Sequence, residues 1–126
     1  YEADAQVLAG LLASSDAFLH ANENEPFGLA VLEALASGTP VVGPRRGGVG
    51  ELIDETVGQP ATGVTPCALA EAIEALFARD LEAVSAAARR RVETRHSWAA
   101  TFQGLMRLYG DMVQGTAPAR PLAMTG

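Results

Sequence analysis

An α/β fold is the class this chain predicts, and three observations carry the expectation. Apolar residues at helical spacing recur in several segments, as at Val7, Leu8, Leu11 and Leu12. Between them lie short apolar runs without polar alternation, of which Val41-Val42 is the clearest, and such runs suit strands covered on both faces. Turn formers separate the two kinds of segment, as in Ser14-Ser15-Asp16 and Ser37-Gly38-Thr39-Pro40. The rhythm of helix, strand, helix, strand implies a parallel sheet with flanking helices, and three successive helices end the pattern.

Each element follows from local chemistry. Residues 2–13 read as a helix, and residues 17–20 as a short buried strand. A polar loop over 22–26 precedes a helix over 28–37, then the strand 40–43. The segment Pro44-Arg45-Arg46-Gly47-Gly48-Val49-Gly50 reads as a loop, and 51–54 as a short helix. Residues 59–64 suit an edge strand or turn, since Pro60 cannot donate to a central ladder. Thr65, with Pro66 behind it, caps a helix over 66–78 and leaves Glu71 and Glu74 on its polar side. Asp80 caps another to about Thr94, and Ser97 caps the last, to about Met112. The row Trp98, Phe102, Leu105 and Tyr109 keeps the helical period and reads as core.

With 126 residues, one domain over 1–114 is expected, followed by a disordered tail over 115–126 that carries two prolines and mostly small residues. Six net negative charges argue against nucleic acid as a partner, because counterion release needs a basic stripe. All nine cations are arginines. Cys67 is the only cysteine, so no intrachain disulfide can form, and it reads as a packing residue or as filler at a helix N-terminus. No apolar run is long enough to span a bilayer and no secretory segment is evident, so a cytoplasmic location is expected.

Chemistry concentrates between His20 and Leu52. The amides of Phe27, Gly28 and Leu29 open a helix, lack intrahelical partners and, with the macrodipole, suit a phosphate or a sugar hydroxyl. Glu25 lies just ahead of them. Glu33 lies roughly 7 Å into the helix at 1.5 Å per residue, about 40° round from Leu29. Two carboxylates flanking an anion site suit a polyhydroxylated ligand that carries phosphate. Arg45 and Arg46, after the carboxyl end of a strand, can reach phosphate there or form a solvated turn. His20, also at a strand's carboxyl end, is either a site residue or a hydrogen-bonded prop for the acidic loop. His96 reads as a helix-terminal or junction residue.

The passage HANENEPFGLAVLEALASGTPVVGPRRGGVGEL, His20 to Leu52, resembles the donor-binding motif of the retaining glycosyltransferases of family four, which have the two-domain GT-B fold. The likeness rests on two glutamates eight positions apart, Phe27-Gly28 between them, the Gly-Thr-Pro-Val-Val strand and the later Gly47-Gly48. His96-Ser97-Trp98 extends it weakly toward the last helix. The resemblance implies part of a Rossmann-like donor domain, with Glu25 at the transferred sugar as the catalytic candidate. It implies that Phe27, Gly28 and Leu29 meet the sugar and diphosphate, Glu33 the ribose, and that Gly47 and Gly48 lie in a loop near the site. The donor would be a nucleotide-diphosphate sugar and the product a hexosyl transfer, with no cofactor and no metal.

In that family an N-terminal acceptor domain, a Gly-rich loop and a cationic pair on the diphosphate precede such a segment. The likeness covers the second half of the donor domain, so catalysis by this chain alone is not expected. The missing acceptor domain counts as a partner, and for the full enzyme a peripheral membrane association stays open. The alternative is a non-catalytic module that dimerises through exposed apolar helix faces, and a nucleotide-sugar epimerase of the same architecture is a third reading.

Overall fold

The computed structural model describes residues 4–115, and among them the order is α1 (Ala5–Ala13), β1 (Phe18–Leu19), α2 (Leu29–Ala36), β2 (Val41–Pro44), α3 (Gly47–Leu52), β3 (Gly58–Ala61), α4 (Pro66–Phe77), α5 (Leu81–Arg95) and α6 (Trp98–Val113). The described residues fall into two compact units that divide between His96 and Ser97. Beyond Gly115, the expected tail lies outside the described residues, as do the first residues of the helix expected from Glu2.

Three strands form a parallel sheet in the order β1-β2-β3, with Phe18 opposite Val41 and Val42 opposite Gln59. All four residues of β2 are buried. Its side chains alternate between two layers. Val41 packs with Val31 and Leu35 of α2, Val49 of α3 and Ala88 of α5. Val42 packs with Ala72 and Leu76 of α4 and Val84 of α5. This is the α/β sandwich that the apolar Val41-Val42 pair leads one to expect, with β3 at an edge as Pro60 requires.

Capping explains the helix starts. Asp4 accepts from the Gln6 and Val7 amides, Thr65 from Ala68, Asp80 from Ala83 and Ser97 from Ala100. Two long-range hydrogen bonds fasten the layers: Thr39, buried at 1% exposure, donates to the Leu12 carbonyl at 2.6 Å, and Arg79 donates to the Gly58 carbonyl at 2.8 Å.

Four expectations need correction. The first strand is two residues long, and Leu19 is exposed because it lies on an edge strand among the described residues. The Arg-Arg-Gly-Gly segment is not all loop, because α3 starts at Gly47, ahead of the expected Glu51. Cys67 is exposed in the first turn of α4, which rules out packing and leaves the helix-filler reading. The aromatic row on α6 is not core either: no α6 residue is buried, and Trp98, 78% exposed, stacks on Phe102 within the same helix at 5.8 Å. Periodicity reports an apolar stripe but not what covers it.

Candidate functional site

The site forms where β1 and β2 end and α2 begins. Gly28 caps α2 at φ 90°, in the left-handed region that disfavours other residues, and a Cβ there would stand 3.2 Å from Leu52 Cδ1. Glu25 then folds back on the tip. Its Oε1 accepts from the Gly28 amide at 3.1 Å and faces the Phe27 amide at 3.5 Å. Two of the three amides expected to be open for a ligand are therefore occupied by the carboxylate that was expected beside them. Leu29, the first residue of α2, keeps an amide without an intrahelical partner.

Gly47 and Gly48 stand in the expected neighbourhood, but what they touch is the acidic loop. The Gly48 amide donates to the Glu25 carbonyl at 2.9 Å. A Cβ on Gly48 would collide with the Pro26 carbonyl and lie 2.7 Å from Phe27 Cα, and one on Gly47 would lie 2.6 Å from the Glu23 carbonyl. Only residues without a side chain let the two segments approach so closely, and this fixes the Glu25 backbone.

Glu33 is exposed and lines a cavity of about 180 Å³ with Ala5, Leu8 and Leu12 of α1 and Ala36 of α2. A carboxylate at the rim of a mostly apolar slot accepts hydroxyls while the slot covers a flat ring. Arg45 is engaged by Glu55 at 3.1 Å on an exposed surface, and the Glu55 carboxyl is held low first by its own backbone amide and then by Arg45. Arg46 is exposed, and although its carbonyl accepts from the Gly50 amide at 3.2 Å, its guanidinium makes no hydrogen bond or ion pair among the described residues. Among the described residues no three His, Cys, Asp or Glu side chains cluster as metal ligands do.

His20 departs from the expectation of a hydrogen-bonded prop. Its amide donates to the Val42 carbonyl at 2.9 Å, but its buried Nε2 has no hydrogen-bond partner. Leaving a buried polar atom unpaired costs about 1–3 kcal/mol. His96, by contrast, caps the end of α5 as a junction residue, and burial, then the Arg91 and Arg95 charges, hold its imidazole below the usual range.

Sequence reading missed the pair that anchors α3. Arg91 of α5 reaches Asp54, its Nη2 lying 2.8 and 3.0 Å from the two carboxylate oxygens, and also meets Thr56 at 2.6 Å and the Leu52 carbonyl at 3.4 Å. The only local signal was Asp54-x-Thr56, whose amide and hydroxyl both donate to the Asp54 carboxylate. Burial pushes the Asp54 carboxyl up, but hydrogen bonds from Thr56 and Arg91 and the Arg91 charge outweigh it and hold it at about 2. Because the folded value is depressed, the stabilisation is present above the unfolded value and is lost as pH falls from about 4 through about 2. Asp54 is 47% exposed, so solvent screening reduces the contribution to about 1 kcal/mol. Denaturant unfolding should show wild type more stable than Asp54→Asn at neutral pH, with the gap closing near pH 2. A gap independent of pH would refute the ion pair's role.

Residues 4–95 match the family described as Glycosyl transferases group 1. The chain belongs to that family. Every candidate site residue, from His20 to Gly48, lies inside the matched span, whereas α6 lies beyond it. The GDP-mannose-dependent alpha-(1-6)-phosphatidylinositol dimannoside mannosyltransferase of Mycobacterium tuberculosis is 36% identical over 113 residues, 90% of this chain and 29% of that protein. A D-inositol 3-phosphate glycosyltransferase of Geodermatophilus obscurus is 36% identical over 122 residues, 96% of this chain and 27% of that one. Solved structures that resemble the chain are GT-B glycosyltransferases. Sucrose-phosphate synthase from Thermosynechococcus elongatus superimposes with a TM-score of 0.73 at 29% identity, over 87% of this chain and 28% of that one. The chain thus spans less than a third of the length of these relatives. Among the described residues, no helix is long and apolar enough to cross a membrane.

Proposed function

We propose that this chain is the donor-binding portion of a retaining glycosyltransferase that moves a hexosyl group from a nucleoside diphosphate sugar to an acceptor. The acceptor would bind the remainder of a longer enzyme, without which this segment does not turn over. One observation carries the reading: a carboxylate already seated on the amides at the α2 tip, at the carboxyl ends of β1 and β2. That tip is an anion site by construction, since the Glu25 carboxylate occupies it as a stand-in for the donor's oxygens.

Donor binding then exchanges one set of hydrogen bonds for another. Glu25 rotates off the Phe27 and Gly28 amides and accepts a hydroxyl of the sugar. The vacated amides, with Leu29, take oxygens of the sugar and diphosphate, and the α2 dipole stabilises the charge that builds on the leaving diphosphate. Glu33, at the slot beside α1, accepts the ribose hydroxyls. Arg46, exposed and unpaired, is free to approach phosphate, and Arg45 can do so on leaving Glu55. Gly47 and Gly48 act indirectly, by placing Glu25. The relative described as GDP-mannose-dependent supports this donor class.

Titration of the chain with GDP-mannose, UDP-glucose and ADP-glucose, followed by amide NMR, tests the proposal. Saturable shifts confined to residues 27–33 are expected with at least one donor; none with any of them would overturn it. The exposed apolar row on α6 favours a second reading, self-association without donor binding. In that case shifts at Trp98, Phe102 and Tyr109 should depend on protein concentration alone.

A further inference from the structure

We infer that His20 is a donor-binding residue, its Nε2 reserved for an oxygen of the nucleoside diphosphate sugar seated at the carboxyl ends of β1 and β2. The inference rests on the donor-binding reading above and adds a contact to it. Three independent features converge on this side chain. Its backbone is fixed at the strand end, because the His20 amide is bonded to the Val42 carbonyl and a Cβ on neighbouring Gly43 would stand 3.3 Å from the His20 carbonyl.

Its face is fixed by the strand period. Phe18, two residues earlier, packs against the cluster that holds Val31 and Leu35 of α2, and the Phe18 and His20 rings lie 6.4 Å apart. His20 therefore stands on the α2 side of the sheet, at the end where α2 begins. Finally, Nε2 is the buried side-chain polar atom left without a partner among the described residues. Native chains satisfy such atoms, so an imidazole kept unsatisfied beside an anion-binding tip marks a bond completed by something that arrives. The residue as a whole is only partly buried, so a ligand can reach the ring once the loop side chains around it move.

The partner oxygen belongs either to a sugar hydroxyl or to phosphate, and an imidazole serves both by donating from Nε2. Long-range nitrogen-edited NMR of the histidine rings in the 126-residue chain, with GDP and with GDP-mannose, separates the possibilities. The His20 Nε2 resonance is expected to move in step with the amides of residues 27–29, at the same half-saturation. Movement with GDP alone assigns phosphate; movement only with GDP-mannose assigns the sugar.

His20→Gln, which keeps a donor of similar reach, should bind within a few-fold of wild type, whereas His20→Phe should bind roughly three- to tenfold more weakly with its other amide shifts unchanged. Amides that move while the His20 ring stays still would overturn the assignment and leave the donor site standing. If neither moves, both fall together.

Discussion

Glu25→Ala, introduced into a complete enzyme that contains this chain, is expected to lower kcat/KM by a hundredfold or more, the cost of removing a hydrogen-bonding group that acts on the transition state. Its effect on binding should run the other way. With the carboxylate gone, the Phe27 and Gly28 amides lose their internal acceptor, so inorganic diphosphate should bind the variant at least as tightly as wild type. Glu33→Ala should also abolish efficient transfer, but mainly through KM, because a ribose contact is made equally in ground and transition states. Steady-state kinetics with diphosphate inhibition separate the two patterns. Activity near wild type in both variants would remove Glu25 and Glu33 from the site.

Gly48→Ala should be the most damaging single methyl at the site. The added Cβ meets the Pro26 carbonyl and Phe27 Cα, both backbone, so relief requires moving the acidic loop off α3. A cost of about 3 kcal/mol is expected, read as a fall in melting temperature on the order of 10 °C. Gly63→Ala serves as the control, since a Cβ there meets nothing within 4 Å. If the two variants melt together, the clasp between Gly48 and Glu25 contributes nothing to the site's architecture.

Much of the fold was legible in the residues for local reasons. Thr65-Pro66, Asp80 and Ser97 announce helix starts because a cap is a contact within three residues, and the Val41-Val42 pair announces a central strand because both its faces are covered. The helix start on which the candidate site is built was legible too, since Phe27-Gly28 precedes an apolar helical run and Gly28 caps α2.

What escaped reading depends on distance in the chain or on side-chain direction. Arg91 and Asp54 are 37 positions apart, so nothing local pairs them. Gly47 and Gly48 look like a flexible loop until Glu23 and Pro26 are seen across from them. The Glu25 carboxylate was placed beside the α2 tip correctly, yet its turn onto the Gly28 amide is a rotamer choice that spacing does not encode. On α6, the apolar period gave the helix but not its exposure.

The bond from the Gly48 amide to the Glu25 carbonyl also bears on speed. Because it staples the loop's backbone, a donor bound as proposed would wait on the swing of one carboxylate rather than on the opening of a flap. Side-chain rotation is completed in nanoseconds, whereas loop and lid openings extend to microseconds and beyond. Capture of a nucleoside diphosphate here should therefore follow diffusion and charge, with no slow gating phase in stopped-flow traces.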